Sequence, residues 1–94
     1  MKLEMLTMPV ISTAHLTPAT ARTLTELGYK NTWTVCATYL EGFFIFVPRD
    51  WPNRGLPPDL RDLFAWACAL TPDTWWVRLD NDAATVSDLP IYDW

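Results

Sequence analysis

One histidine, two cysteines and a scatter of aspartates are the residues of this 94-residue chain whose types could do chemistry. His15 lies in Ser12-Thr13-Ala14-His15-Leu16-Thr17, where a short β-prone run gives way to a helix start. Free N–H groups at such a junction can bind anions. His15 with Cys36 and an aspartate could form a nucleophilic site, although no nucleophile signature surrounds the cysteine. Ser12, Thr13 and His15 satisfying backbone groups at the turn is the simpler account. Asp80-Asn81-Asp82 resembles the opening of a calcium loop but lacks the following Gly and the distant bidentate Glu, so a hairpin turn explains it better. The same aspartates could serve as paired carboxylates in glycoside hydrolysis, but nothing in the sequence places them in a cleft. Cys36 and Cys68 each fall within an apolar stretch and outside any Cys-x-x-Cys pair, which reads as small buried thiols. The glycines, at 28, 42 and 55, form no phosphate-binding loop. No catalytic residue, metal ligand or cofactor is assigned. A binding protein is expected rather than an enzyme.

Binding chemistry is concentrated at the end of the chain. Residues 1–72 balance six basic against six acidic side chains, so the formal net charge of −4 comes entirely from residues 73–94. That stretch carries Asp73, Asp80, Asp82, Asp88 and Asp93 against Arg78 alone, together with Trp75, Trp76, Tyr92 and Trp94. Large aromatics act as anchors in protein interfaces, and interleaved charge steers the encounter. Asp80, Asp82, Asp88 and Asp93 are the expected charged contacts, with Trp76 and Trp94 as anchors. An acidic chain suits neither nucleic-acid phosphates nor anionic membranes, so the expected partner is a protein with a basic surface.

The elements that position these residues follow from periodicity. Met8 to Thr13 reads as a strand in which Pro9 must lie at the start or on a sheet edge. Thr17 caps a helix that opens on Pro18, buries Leu16, Thr20, Leu24 and Leu27, and ends at Gly28. Asn31 to Tyr39 alternates as a strand, Glu41-Gly42 turns, and Phe43 to Val47 returns as a central strand apolar on both faces. Residues 48–58 hold four prolines and form a stiff loop. Pro58 opens a second helix with Leu60, Leu63, Phe64, Ala67 and Leu70 on one face, and Asp59 and Asp62 complement its dipole. Thr74 to Leu79 is a further strand with Trp75, Val77 and Leu79 turned to the core and Trp76 and Arg78 turned away. Ala83 to Val86 could add a short last strand, and Ser87 to Trp94 is irregular.

The order β-α-β-β-α-β predicts one α+β domain over residues 1–94, an antiparallel sheet of four to five strands with two helices on one face. The ferredoxin-like arrangement is the leading form, and another strand order is the rival. The longest apolar run, Phe43 to Val47, is too short to cross a bilayer, and the charged start Met1-Lys2-Leu3-Glu4 does not suit a signal peptide. A cytoplasmic protein is expected.

The segment Ile11-Ser12-Thr13-Ala14-His15-Leu16-Thr17, followed by Thr20-Ala21 and Leu24, resembles the opening motif of a family of short uncharacterised proteins on plasmids, prophages and integrative elements of proteobacteria. That resemblance covers about residues 9–27 and implies an accessory gene of a mobile element. In type, being small and acidic with a dense core, the chain also resembles anti-CRISPR inhibitors, which block effector complexes that hold nucleic acid in basic channels. The leading expectation is therefore a protein that inhibits a host nucleic-acid-targeting defence complex by occupying a basic surface. A homo-oligomeric structural or regulatory protein is the alternative, and a small enzyme using His15 a further one.

Overall fold

The computed structural model describes residues 3–94, so Met1 and Lys2 of the charged start lie outside the described residues. Four strands and two helices occur in the expected order: β1 (Val10–Ser12), α1 (Pro18–Leu27), β2 (Cys36–Tyr39), β3 (Gly42–Phe46), α2 (Pro58–Leu70) and β4 (Trp76–Asp80). Short 3₁₀ turns at Thr13–His15, Gly28–Lys30 and Trp51–Asn53 link them.

Local chemistry accounts for most boundaries. The Thr17 hydroxyl accepts the Thr20 N–H and Pro18 sits at the first helical position, so α1 starts where the sequence predicts. Gly28 ends it at φ +53°, a conformation that costs glycine little. β2 begins later than its alternation suggests. The Asn31 side chain accepts the N–H groups of Trp33 and Thr34 and donates to the Gly28 carbonyl, holding 31–34 as a loop. The hairpin turn falls on Leu40-Glu41, and Gly42 is already the first residue of β3.

The sheet order is β1-β4-β3-β2. β2–β3 and β3–β4 are antiparallel, but β1 lies parallel to β4, with Ile11 opposite Leu79. The sheet is thus mixed, not antiparallel as expected, and it has four strands among the described residues: 83–86 forms no strand and meets β1 through the Ala84 carbonyl, which accepts the Ser12 N–H. In a split β-α-β arrangement the strands of one unit flank a strand of the other. Here β3 and β4, joined through α2, are direct neighbours, so the ferredoxin-like order is not the one observed.

The reason lies in the proline-rich loop. Phe46 pairs with Trp76, so the chain leaves β3 and enters β4 at the same end of the sheet. α2 advances about 20 Å in between. Residues 47–57 must cover that distance in the opposite sense, and a stiff loop serves as the strut.

One face of the sheet meets both helices. Ile11, Phe43, Ile45, Val77 and Leu79 join Leu16, Ala21 and Leu24 near α1 and Leu60, Leu63, Phe64 and Ala67 of α2 in a single buried cluster. Leu27 and Leu70, expected on the buried helix faces, are each 46% exposed at helix C-termini. Trp75 is also outside the core, at 39% exposed, because it precedes β4 and is not bound by that strand's alternation.

Candidate functional site

Among the described residues, no helix lies over the opposite sheet face. Ladder partners share a face, so Ala37 and Tyr39 of β2, Phe44 and Phe46 of β3, and Trp76 and Arg78 of β4 lie together there. All are half-buried or exposed. Their rings interlock: Phe46 meets Trp76 edge-on at 5.3 Å and stacks with Trp75 at 6.0 Å, and Tyr39 tilts against Phe44 at 5.1 Å. Arg78 packs on the second pair, its guanidinium 5.1 Å from the Tyr39 ring and 5.6 Å from the Phe44 ring. At the margin Arg49 lies 3.9 Å over Trp75 and donates to the Pro72 carbonyl and to Cys68 Sγ.

Charge on this face is paired internally. Arg78 Nε donates to the Tyr39 hydroxyl at 2.9 Å and Nη2 to Asp80 Oδ2 at 3.1 Å, while the Tyr39 hydroxyl donates to the same Oδ2 at 2.7 Å. The Tyr39 bond, the Asp82 N–H and Arg78 hold the Asp80 carboxyl below its ordinary pKa. Burial, the largest effect on Tyr39, pushes its phenol up.

The residues predicted to bind a partner do not form one patch. Asp80 is buried and neutralised by Arg78, so it offers no free charge. Asp82 is exposed in the turn after β4, and Asp88 and Asp93 are exposed on the irregular tail. Trp76 lies on the open face at the far end of β4 from Asp80. Trp94, 65% exposed, donates its indole N–H to the Leu16 carbonyl and is thereby fixed near the start of α1.

The tail that carries Trp94 folds onto the domain through His15. Val86 N–H donates to His15 Nε2 at 2.9 Å, which places the ring proton on Nδ1, where it donates to the Pro90 carbonyl at 2.8 Å. The Tyr92 N–H adds a bond to the Ala14 carbonyl. His15 is buried with both nitrogens engaged by backbone groups of the tail and not of its own turn, where Ser12 supplies the side-chain bond. Cys36 is buried and its thiol is pushed up to about 11 by desolvation, away from nucleophile chemistry. Both cysteines are free, and no group of three metal-ligating side chains occurs among the described residues. None of the helices there is long and apolar enough to cross a membrane.

Sequence reasoning singled out Trp76 but missed Tyr39, Phe44, Phe46 and Arg78. The signal was present in β3, whose aromatics at both 44 and 46 occupy the face that its neighbours Phe43 and Ile45 leave free.

Two helices layered on one face of a mixed sheet define the class, a two-layer α+β sandwich. The chain belongs to a family of unknown function: residues 8–94 match the model of the DUF5983 C-terminal domain. No curated protein and no solved structure matches it.

Proposed function

We propose that this domain acts by binding another protein through its uncovered sheet face. One observation carries the reading. Tyr39, Phe44, Phe46, Trp75 and Trp76 form an aromatic surface on the side away from the helices, with Arg78 packed on the Tyr39–Phe44 pair and Phe46, Trp75 and Trp76 one ladder step further along. Rigid aromatics and arginine are the residue types that dominate interface energetics, and they lose little side-chain entropy on docking because they already hold one another. The exposed carboxylates Asp82, Asp88 and Asp93 supply long-range attraction to a basic partner.

The narrower form of the proposal is inhibition of a nucleic-acid-targeting host complex in the cytoplasm, by competition for a basic channel. It is supported by the acidity and small size of the chain and by the resemblance of residues 11–17 to mobile-element proteins. Affinity capture from the host with three proteins tests the reading: wild type, a Phe44→Ser/Trp76→Ser variant and an Asp82→Lys/Asp88→Lys/Asp93→Lys variant. A specific partner is expected with wild type, is lost with the serine variant, and is weakened most at low salt with the lysine variant. Wild-type capture by the serine variant overturns the proposal. A captured nucleic-acid-binding complex whose substrate binding is blocked supports the narrower form.

A further inference from the structure

A second feature of the sheet, its β2 edge, is built to accept another strand. The Phe46 N–H bonds the Val35 carbonyl, so with the observed register Ala37 and Tyr39 also turn their backbone groups toward β3. Cys36 and Thr38 therefore point theirs outward, and among the described residues no backbone group bonds to them. Although β2 is short, three usual protections of a free edge are missing. Val35-Cys36-Ala37-Thr38-Tyr39-Leu40 contains no proline, charge or bulge, and it leaves Val35 60% and Leu40 92% exposed. The other edge of the sheet is partly covered, since Ala84 occupies the Ser12 N–H of β1.

Beside this edge runs a groove of about 610 Å³, in which Ala21, Thr25 and Glu26 of α1 face Thr38, Leu40 and Glu41. The charged side chains along it are Glu26 and Glu41 against Arg22, an acidic balance. A strand added at Cys36 and Thr38 would send alternate side chains into the groove and onto the aromatic face next to Tyr39.

We propose that the β2 edge captures an extended, lysine- or arginine-bearing segment of the partner protein by strand addition, with apolar and basic side chains entering the groove beside α1. This rests on the protein-binding reading and specifies how the partner docks. A second copy of the chain is disfavoured as occupant, because antiparallel pairing at Cys36 and Thr38 would bring its residues 31–35 opposite Glu41, and that stretch holds no lysine or arginine.

The test uses blocked octapeptides in which valine alternates with lysine or with glutamate, added to the isotope-labelled protein. The lysine peptide is expected to slow exchange of the Cys36 and Thr38 amides at least tenfold, and the glutamate peptide to leave them unchanged. Thr38→Pro removes the outward N–H and should abolish protection. An N-methylated lysine peptide should fail in the same way with the protein unaltered, so the result does not depend on that variant folding. No binding of the lysine peptide overturns the proposal, as does binding without protection at Cys36 and Thr38. Protection in a dimer without peptide assigns the edge to a second copy and also overturns it. If Thr38→Pro captures the host partner normally while Phe44→Ser/Trp76→Ser does not, the edge proposal falls and the sheet-face reading stands. If the edge is protected by peptide but the serine variant captures normally, the opposite holds.

Discussion

The Tyr39 hydroxyl donates to Asp80 Oδ2 at 2.7 Å, tying the last residue of β2 to the last residue of β4 across the first residue of β3. Gly42 is the ladder partner of both and carries no side chain between them. With Arg78 closing the ring of hydrogen bonds, the Asp80 charge at this end of the open face is paired within the protein.

That bond makes the acid limb of stability specific. Asp80 titrates below the ordinary 3.8 in the folded protein. Its contribution is present above that value and is lost as pH falls through the lower folded pKa. Tyr39→Phe removes the largest cause of the shift, so stability should depend less steeply on pH below the ordinary carboxylate value of 3.8. Urea denaturation across that range checks this, and an unchanged slope contradicts it.

Gly42 is required by backbone proximity. A Cβ there would overlap the Leu79 carbonyl oxygen, inside the central β3–β4 ladder. Gly42→Ala should cost about 3 kcal/mol or more, seen as a large drop in Tm. A shift no larger than that of a surface substitution would contradict the observed pairing.

His15→Ala deprives the Val86 N–H and the Pro90 carbonyl of partners at a site that is 2% exposed. The expected loss is about 2–3 kcal/mol. Hydrogen exchange should accelerate most at Val86 and Tyr92 while the amides of α2 stay protected, because the tail opens before the core. Unchanged exchange at Val86 would show that the ring does not hold the tail.

Asp59 ties the two helices together. Its carboxylate accepts the Thr17 N–H at 2.8 Å, the Thr17 hydroxyl at 3.2 Å and the Thr20 hydroxyl at 3.0 Å, at 3% exposure. Asp59→Ala strands these donors and should cost about 3 kcal/mol, with Asp59→Asn less severe because its amide oxygen keeps one bond. A double-mutant cycle with Thr20→Val should show coupling; additive losses would contradict a direct bond.

Much of the frame is legible in the residues themselves. Thr17-Pro18, Gly28 and Pro58 mark helix boundaries through backbone chemistry that acts within a few residues. The apolar residues of 43–47 mark β3 as central for the same local reason. Asp59 was legible only as a residue suited to the helix dipole, since its partners lie 39 to 42 positions away.

Strand partnership, the core and the surface were decided at longer range. Nothing local to Val10–Ser12 states that it pairs parallel to β4; that follows from a loop that returns the chain before α2. Trp75 and Trp76 are alike as residues, and only the start of β4 between them sets which is bound by the strand's alternation. The acidic end illustrates the same division. Its charge and aromatics are plain in the composition, but Arg78 neutralises Asp80, the Tyr39 hydroxyl donates to the same carboxylate, and His15 fastens the tail. The Tyr39 and His15 contacts bring together groups from distant parts of the chain, whereas Arg78 lies two residues from Asp80 and pairs with it only because the strand sets both side chains on the same face.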